Sequence, residues 1–305
     1  MRFAIAIPQL YGDGEFDPAA FGAYLARVEA LGFDSAWAQE HVLGQAPVLG
    51  AVETMTYAAA CTQRLRLGCA VFVSTLYGPV HLAKSLSTLD QLSGGRIEIG
   101  VGTGGPRRPF SAFGVDPGRY VARFTEGLAV MKALWTETRV TFDGEFWQLK
   151  DVAMEPKPAQ KPHPPIWFGG SGPTALGRAV RLGDGFFGAG STPTETFAGQ
   201  VQVVREALDR SGRPAGEFRV AKRVYIALDS GAGRARDRIN HALERLYGHR
   251  SPDIEAAAVA GTPAECAAQL RRVAEAGAQL ILFTPLFELA EHAERLASEV
   301  IPQLG

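Results

Sequence analysis

The run RLRLGCAVFVSTLYGPVHLAKSLSTLDQLSGGRIEIGVGTG, Arg64 to Gly104, holds a complete strand–helix–strand unit. Leu65–Val73 is a short apolar run rich in Val, Leu and Phe, which reads as a buried strand. Pro79 opens a helix that carries Leu82, Leu86 and Leu89 on one face. Ser93-Gly94-Gly95 stops that helix, and Arg96–Gly102 (RIEIGVG) follows as a further strand. Strands joined in this way lie parallel in one sheet, connected by a right-handed crossover.

The same alternation extends to both ends. Upstream, strand Arg2–Pro8 precedes a helix with Phe21, Leu25, Val28 and Leu31, started by Asp17-Pro18 and ended by Gly32. Strand Asp34–Ala38 and helix Val52–Cys61 complete that half. Downstream, a helix carries Phe124, Leu128, Met131 and Trp135. Strands are read at Ile166–Gly170, Gly185–Ala189, Phe218–Leu228 and Leu280–Thr284. Between and after them lie helix Pro173–Leu182, two helices marked by Phe197/Val201/Val204/Leu208 and Ile239/Leu243/Leu246, then Pro263–Gly277 and Glu288–Ile301. About eight strands alternate with helices and no Ser/Gly-rich linker divides them. The expected fold is α/β, a parallel (β/α)8 TIM barrel forming a single domain over residues 1–305. Two inserted segments depart from it, near 103–118 and 139–165. The first is a Gly/Pro/Arg-rich loop. The second reads as a hairpin turning at Asp143-Gly144 with a Pro-rich exit, EPKPAQKPHPP. Long loops of this kind are usually lids or binding loops.

With 46% hydrophobic and 21% charged residues, the 305-residue chain has enough apolar content for a full core, which argues against disorder. A net charge of −1 offers nothing to nucleic acid or an anionic membrane, and Arg234, Arg236 and Arg238 read as a solvated helix face. No apolar run approaches a membrane span or a signal segment. Cys61, Cys69 and Cys266 are odd in number and lack CxxC spacing. His81, His163, His241, His249 and His292 lack ligand spacing, so neither a disulfide framework nor a metal site is expected. Ser74, Ser171 and Ser191 sit in no G-x-S-x-G elbow. The chain reads as cytoplasmic.

Barrel chemistry lies at the C-terminal ends of the strands. The second strand ends in Ala38-Gln39-Glu40-His41, a carboxylate beside an imidazole, suited to acid–base work or to pairing with a ring nitrogen. The plainer reading is a polar strand end that caps the next helix. The fourth strand runs into Gly100–Gly105, which matches G-x-G-x-x-G, but Pro106-Arg107-Arg108-Pro109 follows where a dinucleotide fold needs a helix. Those glycines are expected to let the backbone approach a flat ring or its tail. Phe168-Gly169-Gly170-Ser171-Gly172-Pro173 joins a strand to a helix N-terminus, as a phosphate cradle does and as an ordinary glycine turn also does. Lys222 and Arg223 on the seventh strand are placed either for a ligand anion or for interior ion pairs.

Four stretches carry a family resemblance: GFDSAWAQEH, the run quoted above, PPIWFGGSGPTALGRAVRLGDGFF and GTPAECAAQLRRVAEAGAQLILF. Over nearly the whole chain they resemble the bacterial-luciferase-like superfamily, most specifically through P-x-x-L-A-K-x-x-x-T-L-D-x-L-S-G-G-R from Pro79 to Arg96. The resemblance implies an oxidoreductase binding a deazaflavin, coenzyme F420, or alternatively FMN, with no metal and no resident nicotinamide. It also implies a homodimer acting on a small-molecule substrate. His41 matches the family's active-site histidine, and Glu40 the acidic neighbour common in deazaflavin members. Ala70–Val71 matches a non-prolyl cis peptide supporting the ring. Thr103 and Gly104 fall beside the ring, and Gly169, Gly170, Ser171 and Gly172 match the phosphate loop. Gly105 stands where sugar-phosphate dehydrogenases of the family have glutamate, so that substrate class is not carried over. Pro106–Arg108 with Lys222 and Arg223 are positioned to meet the acidic tail that FMN lacks. The expected reaction is hydride transfer between reduced deazaflavin and a small organic substrate. The alternatives are an FMN-dependent monooxygenase activating O2 and a non-catalytic flavin-binding protein.

Overall fold

The computed structural model describes residues 1–11, 15–44, 46–105 and 109–305. Its strands are β1 (Arg2–Ala6), β2 (Ser35–Ala38), β3 (Arg66–Val73), β4 (Ile97–Gly102), β5 (Val140–Asp143) and β6 (Gln148–Val152). They continue as β7 (Ile166–Gly169), β8 (Gly185–Gly188), β9 (Arg219–Leu228), β10 (Val259–Gly261) and β11 (Leu280–Thr284). The helices are α1 (Pro18–Ala30), α2 (Ala51–Cys61), α3 (Pro79–Leu92), α4 (Tyr120–Thr136) and α5 (Pro173–Leu182). After them come α6 (Thr194–Ser211), α7 (Ala232–Tyr247), α8 (Pro252–Ala257), α9 (Pro263–Glu275) and α10 (Leu289–Arg295).

The chain divides into two compact units: Met1–Pro8 with Glu15–Trp37 and Gly170–Gly305, and Gln9–Gly14 with Ala38–Gly169. In the first, β1 pairs in parallel with β2 and β11, and β11 pairs with β9. β8 pairs with Arg219–Lys222 of β9, and β10 pairs with Ile226–Leu228. In the second, β3, β4 and β7 run parallel, and β5 and β6 form a separate antiparallel hairpin. Strands β1, β2, β3, β4, β7, β8, β9 and β11 make up the parallel (β/α)8 barrel anticipated from the sequence. All residues of β4, β8 and β11 are buried, as expected of strands covered on both faces.

Local signals set the helix starts. The Asp17 carboxylate accepts from the Ala19 and Ala20 amides at 2.8 and 3.1 Å, with Pro18 in the first turn. Thr262 and Glu265 form a reciprocal capping box on α9. α3 ends in a turn where Gly94 and Gly95 have φ of +67° and +80°, a backbone region that favours glycine. The Cys61, Cys69 and Cys266 thiols are free. Among the described residues, no helix is long and apolar enough to cross a membrane.

Three readings need correction. Asp143 is not a turn residue: it pairs with Gln148, so the hairpin turns through residues 144–147. The cause lies on α4, where the Glu126 carboxylate accepts from the amides of Glu145, Phe146 and Trp147 at 3.0, 2.8 and 2.9 Å. A four-residue loop can wrap around one carboxylate, whereas a two-residue turn cannot offer three converging amides. Arg123 also stacks on Trp147 at 4.6 Å, so this tip is fastened to α4. Second, the last helix does not continue regularly to Ile301: α10 gives way to a π turn over Leu296–Val300 and a 3-10 turn over Ile301–Leu304. Third, α8 and β10 went unread, being only six and three residues long.

His292 of α10 is buried between two backbone groups. Its Nδ1 lies 3.0 Å from the Glu288 carbonyl, an acceptor only, so Nδ1 carries the proton and Nε2 accepts from the Leu228 amide at 3.1 Å. Burial lowers its pKa from the ordinary histidine value. The native state therefore binds fewer protons than the unfolded chain between the two pKa values. Stability should fall as pH drops below about 6.5, and His292→Gln should flatten that part of a stability–pH curve measured by urea unfolding. For the hairpin, Glu126→Ala should speed hydrogen exchange of the residue 145–147 amides by about tenfold or more, since each bond to a charged acceptor contributes roughly 1.5–3 kcal/mol. Unchanged exchange there would place the fastening elsewhere.

Candidate active site

In the second unit the site residues gather where β3 meets β4. The register between these strands slips by one residue between Cys69 and Phe72, a bulge that places Ala70 and Val71 out of step with Ile99–Val101. The Ala70–Val71 peptide is cis, as the resemblance implied. The bulge explains the glycines opposite. A Cβ on Gly100 would stand 2.1 Å from the Cys69 carbonyl oxygen, and one on Gly102 would stand 2.9 Å from the Val71 Cγ2. A Cβ on Gly169 of β7 would lie 3.1 Å from the same methyl. Clearance at Gly100, Gly102 and Gly169 is thus taken up by β3, which by itself accounts for glycine at these three positions. Gly104 and Gly105 are different: both have positive φ, and a Cβ built on Gly105 meets no described residue within 4 Å. Thr103 presents its carbonyl to the Thr75 hydroxyl at 3.3 Å. Pro106–Arg108 lie outside the described residues.

Glu40, just after β2, is half-buried and reaches the end of β3. One carboxylate oxygen accepts from the Val73 amide at 2.9 Å and the other from the Tyr77 hydroxyl at 2.6 Å. Burial, and then the Glu40 charge, push the Tyr77 pKa far above its ordinary value, so Tyr77 stays protonated and donates. His41, the next residue, is exposed; its ring lies against Gly44 and has no hydrogen-bond partner among the described residues. A shallow, open depression lies beside Glu40, lined also by Val42, Leu43, Val73, Leu76, Pro109 and Phe113. Two residues here escaped the sequence reading. Tyr77 lies four residues past the end of strand 3, and Gln9 directly follows strand 1 as read from the sequence. The Gln9 amide accepts from the Gln39 N–H at 2.5 Å and donates to the Gln39 and Leu49 carbonyls at 3.1 and 2.9 Å, fixing the segment that carries Glu40.

In the first unit, Gly170, Ser171 and Gly172 are exposed and lead into α5. Gly172 is the N-cap, and among the described residues no side chain caps this helix and a Cβ on Gly172 would meet nothing within 4 Å. Uncapped amides at a helix N-terminus with open space before them fit an anionic oxygen group. Lys222 and Arg223 do not form the interior ion pairs considered from sequence. The buried Lys222 Nζ donates to the Ala189 and Arg223 carbonyls, and neither residue pairs with a carboxylate among the described residues. No group of three or more His, Cys, Asp or Glu among the described residues is arranged to hold a metal.

Known proteins fall around this architecture. The family model for luciferase-like monooxygenases matches residues 1–280. An F420-dependent glucose-6-phosphate dehydrogenase from Kineococcus radiotolerans is 27% identical over 95% of this chain and 94% of its own. An FMNH2-dependent dimethylsulfone monooxygenase from Pseudomonas putida is 33% identical over 50% of this chain and 42% of its own. The crystal structure of a monooxygenase from Streptomyces bottropensis superposes with a TM-score of 0.86 at 26% identity, covering all of both chains. With its barrel, its β3 bulge and a family match running from the first residue to residue 280, the chain belongs to the luciferase-like monooxygenase family of oxidoreductases.

Proposed function

We propose that this protein transfers hydride between a reduced deazaflavin, coenzyme F420, and a small organic substrate. The observation that carries this reading is the division of labour at the end of β2. Glu40 is committed to the Val73 amide and the Tyr77 hydroxyl, while the adjacent imidazole of His41 is exposed and unpartnered among the described residues. Glu40 is therefore assigned a positioning role, holding the β3 end in shape. His41 is the residue free to orient a substrate or move a proton at its ring nitrogen. The Ala70–Val71 bulge, Thr103 and Gly104 are assigned to the cofactor ring, and Gly169–Gly172 to its phosphate. The deazaflavin supplies the hydride when bound.

The F420-dependent relative, alike over nearly its full length, supports the deazaflavin. An FMN-dependent monooxygenase is the second reading, supported by the FMNH2-dependent relative and, for monooxygenase activity, by the Streptomyces enzyme structure. A non-catalytic flavin carrier is the third. Titrating the purified protein with both cofactors tests the choice: tighter binding of the deazaflavin with anaerobic turnover is expected. Tighter binding of FMN, with oxygen consumed during turnover, would favour the second reading, and absence of any turnover the third. His41→Ala should keep cofactor affinity within about tenfold and slow turnover by roughly 10²–10⁴, the range for losing a positioned acid or base. Unchanged turnover would leave His41 a strand-end residue without a chemical part.

A further inference from the structure

β9 carries two adjacent cations that the proposed reaction does not use. Side chains alternate along a strand, so Lys222 and Arg223 leave it on opposite faces. Lys222 is 1% exposed, and its Nζ lies 5.8 Å from the Phe197 ring centroid. Burial, and then the charge of Arg223, lower its pKa to about 7. Arg223 is half-buried and held in place: its guanidinium stacks on the Tyr225 ring at 4.7 Å, and one terminal nitrogen, Nη2, donates to the Tyr225 hydroxyl at 2.5 Å. The Tyr225 and Tyr247 hydroxyls are themselves hydrogen-bonded at 2.7 Å. The Arg223 Nε is buried with no acceptor among the described residues. The other terminal nitrogen, Nη1, makes no hydrogen bond among the described residues and is not among the buried unpartnered atoms. Gly190 borders this edge: a Cβ there would lie 3.2 Å from Nε and 3.0 Å from the Tyr225 ring.

A guanidinium has five donors in a fixed fork and pairs best with a carboxylate or phosphate. Most half-buried arginines obtain such a partner from their own chain, because an unpaired charge taken from water is costly. Here the described residues provide rigid orientation but no acid. We propose that Arg223 is an anion seat, its Nη1 end, neither bonded nor among the buried unpartnered atoms, receiving a carboxylate or phosphate group of a small ligand. Tyr225 and Tyr247 hold the guanidinium in position. Lys222, bonded to the Ala189 and Arg223 carbonyls, is a positioning residue that ties Ala189, and with it Gly190, to β9. Two ligands carry the required chemistry: the acidic tail of a deazaflavin, and an anionic substrate.

Calorimetric titration with inorganic phosphate tests the seat apart from the Gly169–Gly172 assignment. The wild-type protein should bind two phosphates, Arg223→Met one, and Gly170→Val one. Arg223→Lys, which keeps the charge but loses the fork and the stack, should weaken the second site by about tenfold or more; this variant keeps the test alive if Arg223→Met does not fold. Phosphate binding by Arg223→Met or Arg223→Lys at wild-type stoichiometry and affinity would overturn the seat, as would no binding by the wild type. Unchanged binding by Gly170→Val alone would remove the loop assignment and leave the seat standing. Affinity for a tail-bearing deazaflavin that falls in Arg223→Met while FMN affinity holds identifies the tail as occupant. If neither cofactor affinity moves but phosphate no longer competes with substrate, the occupant is the substrate.

Discussion

The shape of the second unit's site depends on one steric constraint: the Cys69 carbonyl and the Val71 side chain occupy space that any side chain on Gly100 or Gly102 would need. Because a built Cβ at Gly100 falls 2.1 Å from a backbone oxygen, no rotamer change relieves the clash. The strand-end glycines and the β3 bulge are therefore one feature seen from two strands. From it follow the register slip, the direction in which Val73 presents its amide, and the position of Glu40, which accepts that amide. A G-x-G-x-x-G string can thus arise from strand packing alone, with no ligand involved in its first two glycines.

A second set of contacts shows why the run from Pro79 to Arg96 is so distinctive. Its polar residues hold structure together at a distance. Asp90, fully buried, accepts from the Gln160 amide and side chain at 2.8 Å each, while Ser87 and Gln91 donate to the Pro156 and Lys157 carbonyls at 2.5 and 2.7 Å. Lys84 donates to the Glu155 carbonyl. The Pro-rich exit of the insertion offers few amides, since prolines have none, but many carbonyls. Donors along one face of α3 satisfy those carbonyls. Arg96 completes the arrangement by donating to the carbonyls of Ala59, Thr62 and Leu65 at 2.7–3.1 Å, fastening the end of α2 to the start of β4. With Glu126 gripping the hairpin tip, the 139–165 insertion is secured at both ends.

The eight barrel strands and most helices were legible because their signals are local: apolar runs, Pro at first turns, Asp17 as a cap, and the Gly pair where φ turns positive. The resemblance to the luciferase-like family was likewise readable in linear motifs, and so was the position of the cis peptide within them. Side-chain partnerships were not legible. Glu40 and Tyr77 stand 37 residues apart, and Asp90 and Gln160 are separated by 70, so no spacing rule links either pair. The hairpin loop length was misread because its determinant, Glu126, lies on another element. By itself the sequence determined backbone propensity, the eight barrel strands and the family. Only the tertiary structure decided which polar groups are already engaged and which remain open, as at His41 and the outer edge of Arg223, because hydrogen bonds form between atoms near in space irrespective of their distance along the chain.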